Sequence, residues 1–278
     1  MNRYQKLFTH LNQKKSGAFV PFITIGYPDP ISFTHIIDIL VSSGSDALEL
    51  GIPFSDPISD GPMIQKSMER AFKSGMNLER CMTMLYNIRN KYPNLPIGIL
   101  IYANLIFKNG IDKFYSYCAN IDIDSILIPD LPVEESLPFY SSAVQHKIAH
   151  IFICPPNATE ELIHNITTFG HGYIYLLSRP GVTGIDINTT KINNAILYNM
   201  IQCIQKQKKN LPILQGFGIH TPLQAQESLL LGTSGIITGS KIAKIIEENI
   251  SDIVLAFNKI ERLVRLMKKS MHFNINLN

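Results

Sequence analysis

Glu49 stands inside an apolar run, between Leu48 and Leu50, and a segment dense in proline and aspartate follows it: Gly51-Ile52-Pro53-Phe54-Ser55-Asp56-Pro57-Ile58-Ser59-Asp60-Gly61-Pro62. A carboxylate flanked by leucines must give up its charge or find a partner, because burying an unpaired charge is costly. Kept neutral near pH 7, it is a candidate acid or base. Pro53, Pro57 and Pro62 restrict the loop, so Asp56 and Asp60 are expected to return past the end of the strand that carries Glu49. Plainer assignments compete. Glu49 can be a structural acid paired with a buried arginine or hydroxyl, and Asp60 can cap the helix that Pro62 opens at its favoured first position.

A second constellation lies near the other end of the chain. Gln215-Gly216-Phe217-Gly218-Ile219 closes one apolar run, and Thr238-Gly239-Ser240-Lys241-Ile242-Ala243 closes the next before a helical pattern. Glycines let backbone N–H groups approach a ligand, and a helix starting at Ser240 presents free donors and the positive end of its dipole. A phosphate is the expected occupant. Between the two constellations, Leu177-Ser178-Arg179-Pro180-Gly181-Val182-Thr183-Gly184-Ile185 is either a lid over a substrate or a plain surface loop.

The elements that must position these residues alternate strictly. Apolar, β-branched runs cover 18–25, 47–50, 97–102, 125–128, 149–153, 173–177, 212–215 and 235–238, with helical spacing between them, as in Ile36, Ile37, Leu40 and Val41. Thr221-Pro222 starts a helix that Gly232 closes, and Gly44 closes another. Eight β/α repeats closing on themselves give a (β/α)8 TIM barrel, expected as a single domain over residues 1–278, with the helical segment Tyr4 to Leu11 capping its bottom. An open doubly wound sheet is the alternative, but no G-x-G-x-x-G follows the first strand. A barrel places function at the C-terminal strand ends, where Glu49, Asp60, Tyr102, Asn104, Pro129, Asp130 and Pro132 fall, with Tyr175 expected late in strand six.

Composition narrows the class. A formal net charge of +3 gives no polyanion-binding field, and Lys206, Lys208 and Lys209, the basic cluster, are expected at a solvated helix end. Cys81, Cys118, Cys154 and Cys203 lie far apart, and the histidines show no metal-binding spacing, so no metal is expected. No apolar run reaches the roughly 18 residues of a membrane span, and the N-terminus has no signal-like core; a cytoplasmic enzyme without nucleic-acid or membrane partners is expected.

Several blocks together resemble the α subunit of tryptophan synthase: Pro21-Phe22-Ile23-Thr24, Leu48 to Pro62, Pro132-Val133-Glu134-Glu135, Ile153-Cys154-Pro155-Pro156-Asn157, Leu177-Ser178-Arg179 with Gly181-Val182-Thr183-Gly184, and Gln215 to Ile219. The resemblance runs from Arg3 to about Lys268. It implies a lyase that splits indole-3-glycerol phosphate into indole and glyceraldehyde 3-phosphate by a retro-aldol step. By the same resemblance Glu49 shuttles protons, Asp60 accepts the ring N–H, and Tyr175 is the active-site tyrosine. Phe22, Leu100, Tyr102, Leu127, Ile153 and Phe217 are implied as substrate contacts, and Thr183 as the lid residue that closes against Asp60. Gly184, Gly218, Gly239 and Ser240 are implied as phosphate donors. The family docks on a pyridoxal-phosphate β subunit in an αββα assembly; the matching interface residues are Asp56, Asn104, Phe107 and Pro132, and the cofactor is expected only on that partner. Another phosphate-binding barrel using Glu49 as an enolisation base, or a non-catalytic allosteric partner, are the competing readings.

Overall fold

Eight parallel strands close into a barrel in chain order: β1 (Ala18–Thr24), β2 (Leu48–Gly51), β3 (Ile97–Leu100), β4 (Ser125–Leu127), β5 (Ala149–Cys154), β6 (Ile174–Leu177), β7 (Ile213–Gly216) and β8 (Gly235–Thr238), with β8 paired back onto β1. The computed structural model describes residues 2–178 and 194–272. The described helices are α1 (Arg3–Gln13), α2 (Pro30–Ser42), α3 (Pro62–Lys73), α4 (Leu78–Lys91), α5 (Ala103–Asn109), α6 (Ile111–Asn120), α7 (Leu137–Gln145), α8 (Glu160–Phe169), α9 (Asn194–Gln207), α10 (Pro222–Leu230), α11 (Ser240–Glu248) and α12 (Ile253–Ser270).

Strands whose residues are almost all buried need apolar side chains on both faces, which is why they appear in the sequence as continuous runs rather than alternations. Helices cover the outside, and their starts follow local chemistry. Asp29 caps α2 by accepting from Ile31 and Ser32, and Thr221 with Gln224 forms a capping box on α10. Tyr175 is the second of four residues in β6 rather than a late one. The N–H of Tyr173 turns back to the carbonyl of His171 and so leaves the ladder, which shortens the strand from the predicted start.

The floor of the barrel is closed by α1. An Asn2–Gln5 capping box starts it, and Tyr4, Phe8 and Leu11 form its buried stripe. The Tyr4 hydroxyl lies 2.8 Å from Ser125 Oγ, and its ring meets Tyr173 edge-on with centroids 5.5 Å apart. A Cβ on Gly98 would meet Ser125 Oγ at 2.5 Å and the Tyr4 hydroxyl at 3.1 Å, so this strand position admits glycine alone without displacing them. Around the plug, Asp124 accepts from Arg89 Nη2 at 2.6 Å, from Arg3 Nη1 at 3.0 Å and from the Ile97 N–H at 2.8 Å, while Asp122 pairs with Arg3. Lys208 is not at a merely solvated helix end: its Nζ donates to the carbonyls of Thr167 and Gly170, each at 2.9 Å, and so satisfies the last turn of α8.

Candidate active site

The loop after β2 folds back through short backbone bonds. Ile58 N–H donates to the Asp56 carbonyl at 2.8 Å, and Asp60 N–H to that of Pro57 at 3.0 Å. Pro62 opens α3 as predicted, but the N-cap position belongs to Gly61, which makes no side-chain cap bond. Asp60 is therefore not a helix cap. Its Oδ2 instead accepts from the Tyr102 hydroxyl at 2.7 Å, and the residue is buried against the barrel mouth. That contact links residues 42 apart and left no local trace in the sequence.

Glu49 is only 2% exposed, in the middle of β2 between Phe22 of β1 and Gly98 of β3. Oε1 accepts from the Tyr173 hydroxyl at 2.9 Å, and Oε2 has no hydrogen-bond partner among the described residues. Of the plainer assignments, pairing with a hydroxyl holds for one oxygen alone. Burial pushes Glu49 up from the ordinary 4.5 to about 7; the Tyr173 bond opposes this and the nearby charge of Asp60 adds to it. Burial likewise pushes Asp60 up to about 6 against the stabilising Tyr102 bond. Neither acid has a cationic partner among the described residues, so each is poised to gain or lose a proton near neutrality.

Both acids open onto one cavity of about 530 Å³, within the range of a small-molecule site. Phe22, Leu100, Leu127, Ile153 and Phe217 line it as an apolar wall, and Tyr175 faces it with its ring against Phe217, centroids 6.0 Å apart. A Cβ on Gly216 would meet the Tyr175 hydroxyl at 2.2 Å, so the glycine beside Phe217 makes room for that phenol. Tyr102 is not among the lining residues. The cavity also reaches the strand-four loop, where Pro129, Asp130, Leu131 and Val133 border it together with Pro155 and Leu162.

Gly218, Gly239 and Ser240 line the same cavity. Phe217 and Gly218 both take positive φ, 60 and 80°, turning the chain sharply at the end of β7 in the kind of bend that gathers backbone N–H donors. Facing it, α11 begins at Ser240 with Gly239 as an N-cap that supplies no side-chain acceptor, so its first-turn N–H groups remain for a ligand. Thr238 Oγ1 ties the end of β8 to the Ile219 carbonyl at 3.1 Å. Thr183, Gly184 and the rest of the 179–185 segment lie outside the described residues. Asp56, Asn104, Phe107 and Pro132 are all exposed near the mouth, on the loops and short helix that follow β2, β3 and β4.

A second functional contact also escaped the sequence. Tyr173 resembles a core residue at a strand start, yet its hydroxyl holds Glu49 from across 124 residues. The available signal was its spacing two residues before Tyr175, since positions i and i+2 of a strand share a face. Among the described residues no three His, Cys, Asp or Glu side chains gather as a metal site requires, and no helix is long and apolar enough to cross a membrane.

A profile of the tryptophan synthase alpha chain family matches residues 8–272. A tryptophan synthase alpha chain of Blochmanniella floridana is 64% identical over 275 residues, spanning 98% of this chain and 99% of that protein. One from Cronobacter sakazakii is 48% identical over 268 residues, spanning 96% and 98%. The crystal structure of a tryptophan synthase alpha chain from Legionella pneumophila superposes with a TM-score of 0.86 at 28% identity, covering the whole of both chains.

Proposed function

Because this chain belongs to the tryptophan synthase alpha chain family, we propose that its cavity cleaves indole-3-glycerol phosphate to indole and glyceraldehyde 3-phosphate. The phosphate binds the N–H groups at Gly218, Gly239 and Ser240, and the indole fills the apolar wall between Phe22 and Phe217. Glu49, protonated, gives its proton to ring C3, so positive charge appears on the ring nitrogen, whose N–H bonds to the Asp60 carboxylate. The glycerol hydroxyl then returns a proton to Glu49. Its oxygen becomes the aldehyde carbonyl as the carbon–carbon bond breaks, and the bonding pair restores the aromatic ring.

The observation that carries this reading is two buried acids, without cationic partners among the described residues, sharing one apolar cavity with an anion cradle. A partner of the family's β type would dock on the face bearing Asp56, Asn104, Phe107 and Pro132 in a cytoplasmic αββα assembly and keep the pyridoxal phosphate to itself. Incubating the purified chain with indole-3-glycerol phosphate, alone and with that β chain, tests the reading. Stoichiometric indole and glyceraldehyde 3-phosphate are expected; turnover of the sugar phosphate without indole would favour an isomerase instead.

A further inference from the structure

Tyr102 follows β3 and its backbone forms the N-cap of α5, but its side chain makes no cap bond there. The hydroxyl is used elsewhere. It donates to Asp60 Oδ2 at 2.7 Å and accepts from the Ser59 N–H at 3.2 Å, gripping the carboxylate and the backbone just before it. The ring is fully buried and stacked on Phe54, centroids 4.7 Å apart and planes at 21°. Behind it, Asp130 Oδ1 accepts from the Ala103 N–H at 3.0 Å and so fixes the first turn of α5 from the neighbouring loop. The phenol is thus held by a stacked ring, a capped helix and two hydrogen bonds, while standing off the cavity that Asp60 lines.

Resting on the assignment of Asp60 as acceptor of the ring N–H, we infer that Tyr102 is a positioning residue for the cleavage: it occupies one oxygen of Asp60 and presents the other to the substrate nitrogen. A loop carboxylate otherwise rotates about its last bond, and a reacting group misplaced by an ångström loses much of its effect. The same hydrogen bond favours the charged carboxylate and opposes the burial that pushes it up to about 6. The other titratable groups whose charge couples to Asp60 are Glu49 of β2, itself held by Tyr173, and Tyr175 of β6; Asp130, Glu134 and His220 line the same cavity.

Tyr102→Phe keeps the ring and its stacking and removes the grip alone. Indole release is measured from pH 5 to 9 with the β partner present, for the unaltered chain, Tyr102→Phe, Asp60→Asn and the double variant. Tyr102→Phe is expected to lower kcat about tenfold, the size of a lost hydrogen bond to a charged group, with KM within about twofold. The acidic limb of kcat/KM moves to higher pH. In the Asp60→Asn background the same change costs less than about twofold, because the group it acts through is gone. Site-specific replacement of Tyr102 by 3-fluorotyrosine, a more acidic donor of the same shape, moves the limb to lower pH and serves also if Tyr102→Phe does not fold. Equal losses in both backgrounds, or a limb that moves in neither chain, overturn the role of Tyr102. No indole from the unaltered complex overturns instead the cleavage assignment on which that role rests.

Discussion

The two ends of the barrel bury the same kinds of acid in opposite ways. At the floor, Asp124 is met by two guanidinium groups and a backbone N–H, and Asp46 is met by Lys268 Nζ at 2.6 Å. At the mouth, Glu49 and Asp60 are more deeply buried, and among the described residues their carboxylates are met by the phenols of Tyr173 and Tyr102 alone. Burial raises all four acids above their ordinary values; at the floor the cationic and N–H partners oppose that rise, whereas at the mouth a phenol opposes it and the acids reach about 7 and about 6. The difference marks which end is scaffold and which is chemistry.

The largest expected effect lies at the mouth. Glu49→Gln should lower indole release by about a thousandfold or more, since it removes the proposed proton shuttle and leaves the cavity volume unchanged; assay of the variant with its partner checks this, and retained cleavage would erase the contrast between the two ends. Next comes the floor. Arg89→Met strips Asp124 of its shorter partner, and breaking a buried pair costs about 3–5 kcal/mol, on the order of 10 °C in Tm. Thermal unfolding should show that loss, while kcat per folded molecule stays unchanged. Asp60→Asn should reduce kcat about a hundredfold at near-normal stability, because a neutral amide stabilises a cationic ring nitrogen poorly.

The smallest effect is a gain in stability. Glu49 has a folded-state value raised from 4.5 to about 7, so its neutral form favours folding. That contribution is fully present below about 4.5 and is lost as pH rises through about 7. Glu49→Gln cannot ionise, so it should gain on the unaltered chain by on the order of 1–3 kcal/mol, a few degrees in Tm, between pH 5 and pH 8. Equal Tm differences at the two pH values would mean that Glu49 is not held neutral by its surroundings.

The barrel was legible because its strands are buried on both faces and leave uninterrupted apolar runs, and because Pro62, Thr221 and Gly232 punctuate helices locally. Glu49 was legible for the same reason, as a charge where a run should have been apolar. Whether Asp60 or Gly61 capped α3 was not, since adjacent residues compete for one position and the winner depends on the distant Tyr102 hydroxyl. The partners of both acids are tyrosines brought in by closure of the barrel, and a phenol in a strand looks the same in sequence whether it fills space or holds a carboxylate. The floor pairs were hidden likewise: Arg3 reaches acids about 120 residues away.

The contrast between floor and mouth is tested most directly by titrating carboxyl carbons by NMR in the chain labelled at Asp and Glu, beside Glu49→Gln and Asp60→Asn. Two carboxyls should titrate near 7 and near 6, apart from the solvent-exposed acids, and each variant should remove one of them. If every carboxyl titrates below about 5, as ordinary acids do, the mouth does not hold its acids poised and the account is wrong.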